Sequence, residues 1–413
     1  MNVDGPISPL PNLADAGARA PIVPLVPGVE LRTLAALGGG AFVSALVFII
    51  PPLFFPQMAV AFHVGMPLLG QILSLMLGLS VGLGFVVGPL SDRSGYRKLI
   101  IIGLVSATLC MLVFGLAPSF LVLVAASTLG AVTDAGVVGP SFAMAGTAFT
   151  GATARRAIGW TSAAQAGSAI VAVPLLAAVG AVAGWRMAFV GAGLLALAAT
   201  IVAFRWLPHG NQHAAEPLRV TTILAPYRPL LRDRAMRRLY GAIILGAVCW
   251  FGLLTYLGAF LIESLELGTG QVGLVYMAIG LGYLAGSLAV GGPLAGVTAQ
   301  RLVVIGFLGN ALLFALAFSA QVGTLPAILL LIGSSVMAGV QGVAMTTLLL
   351  AQTPSGAGTT TTLSGSLFNL GGAGGGAIGG LLLALSGYEA LAIGLPAFGV
   401  AAAVCSWQSA KTR

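Results

Sequence analysis

Charge is the scarcest thing in this chain. Only 7% of its 413 residues are Asp, Glu, Lys or Arg, while 58% are hydrophobic. A soluble domain covers itself with roughly 25–35% charged residues, so a soluble globular protein of this length is excluded. Cysteine and histidine are nearly absent, at three each. Cys110, Cys249 and Cys405 all fall inside apolar runs, where they behave as small apolar side chains, and neither a disulfide framework nor a metal centre is expected. His209 and His213 have helical ligand spacing, yet they flank Gly210-Asn211 in a polar linker without further ligands. No P-loop occurs. Gly374-x-Gly376-x-x-Gly379 formally matches a dinucleotide fingerprint, but it sits inside an apolar run with no strand before it, and close helix packing explains it. No cofactor is expected. Basic residues do not interleave with aromatics, which argues against a nucleic-acid partner. Paired acids, a His cluster or an activated nucleophile within the apolar runs would mark an enzyme. None is visible, so the chain reads as a non-enzyme, with a membrane-embedded enzyme or scramblase as a remote alternative.

What the chain has in abundance is apolar length. A bilayer span needs about 20 such residues, and twelve stretches qualify, near 33–57, 67–90, 98–117, 120–144, 156–182, 187–207, 239–263, 271–294, 301–320, 325–350, 358–384 and 388–408. The expected fold is therefore an all-α membrane protein. With both termini placed in the cytoplasm, seventeen of the eighteen Lys and Arg lie on that side and Arg186 alone lies opposite, with Glu263, Glu266 and Glu389. This is the bias that orients membrane proteins, so the net charge of +8 is a topology signal. Arg far outnumbers Lys, and Ala and Gly are frequent, as in a GC-rich bacterial genome; the expected location is a bacterial inner (plasma) membrane.

Composition also divides the chain. Residues 1–30 hold six prolines and lack a basic start with an apolar core, so a disordered cytoplasmic tail is expected rather than a secretory signal. Residues 31–207 form a first set of six spans, 208–238 a cytoplasmic linker, 239–408 a second set, and 409–413 a short cytoplasmic tail. The two sets repeat one another. Gly70-Gln71 recurs as Gly270-Gln271, Gly88-Pro89-Leu90 as Gly292-Pro293-Leu294, Gly167-Ser168 as Gly365-Ser366, and Gly184-Trp185 as Gly387-Tyr388. Two related six-span bundles around a central path are an arrangement of transporters.

Asp134 is the one acid placed deep within a span. A centred Asp costs about 2.5–3.5 kcal/mol on insertion scales, and such residues face a bundle interior and carry function. Ser127, Gly130, Asp134, Val138 and Ser141 share one helical face, small and polar enough to line water. No Lys or Arg lies at similar depth. Asp134 is therefore read as a proton carrier or counter-charge for a cationic substrate, against the alternative of a structural Asp bonded to a neighbouring helix. Further faces group Phe48 with Phe55, Tyr256 with Phe260, and Met337 with Gln341 and Met345. Met and aromatic side chains there would make an adaptable apolar pocket; ordinary helix packing is the alternative. Asn310, Gln165 and Asn369 read as interhelical hydrogen bonders.

Gly88-Pro89-Leu90-Ser91-Asp92-Arg93-Ser94-Gly95-Tyr96-Arg97-Lys98 is a charged turn between two apolar runs. It resembles the loop between the second and third spans of major facilitator superfamily transporters, G-x-L-x-D-R-x-G-R-R, departing at Tyr96. Gly184-Trp185-Arg186-Met187-Ala188-Phe189 resembles that family's turn before the sixth span, and Tyr256 to Leu261 the seventh span of bacterial drug or sugar efflux permeases. Gly167 to Ala178 is similar to a worn antiporter signature. The resemblance implies a major facilitator fold, with spans one, four, seven and ten lining the cavity. It also implies a gating latch formed by Gly88, Asp92, Arg93, Gly95, Arg97 and Lys98. The Arg that many proton-coupled antiporters carry in the fourth span is missing near Ala126. The implied function is secondary active transport by alternating access, as proton-coupled efflux of neutral or cationic lipophilic compounds by a monomer. The alternative is an uptake permease for a small metabolite. Expected partners are the small-molecule substrate, protons and the bilayer.

Overall fold

A computed structural model describes residues 27–149, 151–208, 227–319, 323–353 and 357–410, with the side chains of 27–29, 88–89, 91–94, 151–152, 155 and 357–358 outside that description. The described residues are helical almost throughout, and the helices follow the apolar runs. The first span, Pro27–Leu53, continues after a break at Phe54 as Phe55–Phe62. Pro51, Pro52 and Pro56 remove backbone donors there, and Phe54 N bonds Pro51 O at 3.0 Å to close the break. Spans two to four are Met66–Ser94, Tyr96–Leu116 and Phe120–Ala148. The fifth runs through Gly151–Gly167, a wide turn at Ser168–Ala172, and Val173–Ala183. The wide turn precedes Pro174, whose ring would clash with the carbonyl four residues back in a regular helix. Trp185–Trp206 is the sixth span.

The second set comprises Arg234–Glu263, Thr269–Gly291, Ala299–Ala317 and Thr324–Gln352, then the helical stretch Ala357–Ala410. At about 1.5 Å per residue that stretch would be far longer than a bilayer of roughly 30 Å. Ser386 (φ −149°) and Gly387 (φ +67°) break it, giving an eleventh span at 357–385 and a twelfth at 388–410. Positive φ recurs at Gly95, Gly184 and Gly387, each opening a span after a tight turn. Gly184-Trp185 and Gly387-Tyr388, paired as sequence repeats, thus share one backbone device.

The span ends bearing Arg97, Lys98, Arg156, Arg205, Arg234 and Arg301 are termed the basic face, and those bearing Arg186, Glu263 and Glu389 the far face. One apolar core joins the first six spans to the far-face portions of the last six, including Leu253, Phe260, Val272, Phe314 and Leu395. A separate, smaller core, with Met236, Leu239, Leu302 and Leu348, holds the basic-face portions of spans seven to twelve. The two bundles are therefore knitted together towards the far face and distinct towards the basic face.

Candidate functional site

Small residues bring the two bundles together, because lipid supplies no hydrophobic drive and helices associate through close packing. A Cβ at Gly258 would lie 2.6 Å from Pro52 O, so spans one and seven touch backbone to backbone. Gly273 sits equally close to Ala177 and Pro174, and Gly280 faces Ile170 at the wide turn of span five. Gln57 donates to Thr269 Oγ1 at 2.9 Å across the same boundary. Tyr256 is fully buried in a notch between Gly70 of span two and Gly379 and Gly380 of span eleven, and its hydroxyl donates to Gly376 O at 2.9 Å. These contacts close the far face.

At mid-depth the boundary becomes polar. Asp134 lies at the middle of span four and is half-buried. Asn369 of span eleven donates through Nδ2 to Asp134 Oδ2 at 2.6 Å and to Ser80 Oγ of span two at 3.1 Å. The Ser80 hydroxyl donates in turn to Leu77 O at 2.9 Å. Both amide protons of Asn369 are thus committed, and the carboxylate is held by a residue of the other bundle. A hydrogen bond to a charged group is worth about 1.5–3 kcal/mol. Gly78, whose Cβ would stand 3.7 Å from Ala373, lets spans two and eleven approach closely enough for this clasp.

A cavity of about 580 Å³ opens along the basic-face portions of spans seven to eleven, within the range of roughly 300–1,000 Å³ typical of ligand sites. Gln341, Met345, Tyr283, Thr347, Ser364 and Phe368 are on its wall, and no charged residue is. Thr347 and Ser364 donate their hydroxyl protons to Val343 O and Thr360 O in their own helices, so they offer oxygen lone pairs to the cavity. Gln341 Oε1 is buried without a protein partner.

The residues singled out from sequence fall into three places. Gln341 and Met345 lie on the cavity wall, and Asp134 lies in the clasp. Tyr256, Phe55 and Phe260 are buried in the closed far-face region, Phe260 stacking on Phe318 at 4.1 Å, and none of the three lines the cavity. Of the rest, Phe48 is half-buried against the main core, and Met337 packs on Gly309 of span nine. Ser127 is buried and donates to Val124 O at 2.6 Å, and Ser141 is buried with its hydroxyl unpaired. In the charged turn, Gly95 has φ +80°, and Lys98 is exposed. Arg97 donates to Phe204 O and stacks over the Phe204 ring at 5.4 Å, tying span three to span six. The side chains of Asp92 and Arg93, and the surroundings of Gly88, lie outside the described residues. Sequence reasoning gave Asn369 a bonding role but not its partner, and it did not single out Ser80, Tyr283, Ser364 or Phe368. An Asn within a glycine-rich apolar run is the one signal that pointed there. Among the described residues no three His, Cys, Asp or Glu cluster as a metal site would require.

Comparison with known proteins follows this geometry. The family profile described as Major Facilitator Superfamily matches residues 37–374. An uncharacterised MFS-type transporter of Bacillus subtilis (strain 168), YceJ, is 25% identical over 242 residues, 58% of this chain; the match spans 61% of the relative's length. Among solved structures, a bacterial homologue of the human lysosomal transporter Spinster, inward-facing and unoccupied, superposes with a TM-score of 0.72 at 16% identity, covering 94% of this chain and 96% of the other. A mutant of the nucleoside transporter NupG gives 0.73 at 12% identity over 92% and 99%. The human organic anion transporter MFSD10 gives 0.66 at 20% identity over 92% and 100%. With a profile match across most of its length and two six-span bundles, the chain belongs to the Major Facilitator Superfamily of multi-pass membrane transporters.

Proposed function

We propose that this transporter exports neutral or cationic lipophilic compounds in exchange for protons, with Asp134 as the proton carrier, from the inner membrane of a bacterium. The basic face, with both termini, lies in the cytoplasm, and the monomer is the working unit. The observation that carries this reading is the position of Asp134, at mid-depth and on the boundary between the bundles. A carboxyl there meets both faces in turn as the bundles rock. The cavity supports the substrate class: its wall of hydroxyl oxygens, an amide and aromatic rings, without Lys or Arg, gives anions no charged partner.

The test uses everted membrane vesicles with an imposed proton gradient. A lipophilic cation such as tetraphenylphosphonium accumulates inside, and Asp134→Asn abolishes the accumulation while membrane levels of the protein stay unchanged. Accumulation by Asp134→Asn at the rate of the natural protein would refute the proton-carrier role. A second reading, uptake of a small uncharged metabolite, is favoured by the hydroxyl and amide groups on the same wall. It predicts substrate entering intact cells rather than everted vesicles.

A further inference from the structure

The hydrogen bonds of Asp134 have a direction, and the direction carries a consequence for coupling. Asn369 can only donate through Nδ2, and both of its protons are placed, one on Asp134 Oδ2 and one on Ser80 Oγ. The Ser80 hydroxyl donates to Leu77 O, which leaves its oxygen as the acceptor for the second amide proton. The clasp is therefore strongest on the carboxylate, where the bond to Oδ2 is charge-assisted. A proton on Oδ2 sets two donors against each other across 2.6 Å. A proton on Oδ1 leaves Oδ2 a neutral carbonyl acceptor, and the bond from Asn369 loses its charge assistance.

From this we infer that Asn369 is a positioning residue that locks the empty, deprotonated transporter and so prevents protons from crossing without cargo. The inference rests on the reading of Asp134 as proton carrier and extends it. Spans two and four belong to one bundle and span eleven to the other, so any rotation of one bundle on the other shears the clasp. While Oδ2 is anionic the clasp resists that rotation. Two events release it. A proton taken from water at one face forms an O–H bond on the carboxyl and breaks or weakens the bond from Asn369; its loss at the other face breaks that O–H bond and restores the charge-assisted clasp. A cationic substrate that pairs with the carboxylate takes the place of Asn369 at Oδ2. The protein then changes conformation when it holds a proton or a cargo, and stays locked when it holds neither. That is the condition for obligatory exchange.

Charge elsewhere does not provide this control. Spans one, two, three and five pack around span four, and span eleven meets it through Asn369. They carry their charged residues only near the faces, at Glu30, Arg32, Asp92, Arg93, Arg97, Lys98, Arg155 and Arg156. The remaining titratable side chains on them are Cys110, buried in span three, and Tyr96 at the basic-face end of that span.

The experiment needs no substrate. The full chain is placed in liposomes holding an internal pH dye, the membrane potential is clamped, and a proton gradient is imposed. The natural protein should dissipate it slowly. Asn369→Ala should dissipate it at least about tenfold faster, and adding Asp134→Asn to that variant should restore the slow rate. Ser80→Ala, which leaves the amide one anchor short, should leak to a smaller extent, and it carries the test if Asn369→Ala fails to fold. An Asn369→Ala protein that still exchanges tetraphenylphosphonium for protons but leaks no faster than the natural one overturns the lock and spares the role of Asp134. A leak that survives Asp134→Asn also overturns the lock, because the protons then travel elsewhere. Unchanged exchange in Asp134→Asn alone removes both claims together.

Discussion

The far-face boundary between the bundles and the basic-face cavity of the second bundle are built on opposite plans. Towards the far face, glycines meet hard surfaces: Gly258 the backbone of Pro52 and Leu53, Gly273 that of Pro174, and Gly70 the ring of Tyr256. Towards the basic face, the cavity wall offers hydroxyls, an amide and the exposed Phe368 ring to open space. The comparison teaches that closure here depends on the absence of side chains, since lipid-embedded helices gain little from apolar area and much from close approach.

The sharpest way to break the comparison is to fill a notch. In Gly258→Val a Cβ would stand 2.6 Å from Pro52 O and 3.1 Å from Leu53 Cα, and backbone cannot yield as a side chain can. Overpacking of this kind costs about 1–3 kcal/mol, which shifts the balance against far-face closure by roughly 5- to 150-fold. Transport should fall about fivefold or more by the same arithmetic. A cysteine introduced at Gln57, which now bonds Thr269 across the boundary, should become reactive to an impermeant maleimide. Unchanged labelling would mean that closure does not depend on this contact.

Sequence made one side of the comparison more legible than the other. Hydropathy located all twelve spans, because a span needs little beyond apolar length. The break between spans eleven and twelve was visible as Gly387-Tyr388, and the structure gives the reason in a φ of +67° at that glycine. Helical periodicity grouped Tyr256 with Phe260 on one face, but it says nothing of what the face meets. Tyr256 fills a notch whose walls come from spans two and eleven, and no local pattern contains that information. The Asp134–Asn369 pair spans 235 residues of sequence. Asp134 reads from sequence as a deep acid and Asn369 as an interhelical hydrogen bonder, and their meeting depends on the docking of two bundles. Nothing in the sequence around Ser168 marks the wide turn beyond Pro174 itself.

A smaller effect sharpens the basic-face side. Gln341→Leu removes an amide whose Oε1 is buried and has no protein partner. If substrate supplies that partner, the substitution should raise KM by roughly 5- to 150-fold, corresponding to about 1–3 kcal/mol for a buried polar group left unpaired. Maximal rate and thermal stability should change little, because no contact within the protein is lost. A KM equal to that of the natural protein, measured for tetraphenylphosphonium in the vesicle assay, would place substrate away from this wall.

The smallest effect separates shape from bonding at the closed gate. Tyr256→Phe deletes the hydroxyl that donates to Gly376 O at 2.9 Å while leaving the ring between Gly70, Gly379 and Gly380. Interhelical hydrogen bonds within membranes average about 0.6 kcal/mol, so transport should stay within about threefold of the natural rate. Gly70→Val leaves the hydroxyl in place but drives a side chain into the ring, and it should behave like Gly258→Val. If instead Tyr256→Phe proved as damaging as Gly70→Val, the bond to Gly376 of its own bundle, which fixes the ring against Gly70, would govern closure rather than the fit of the ring among glycines.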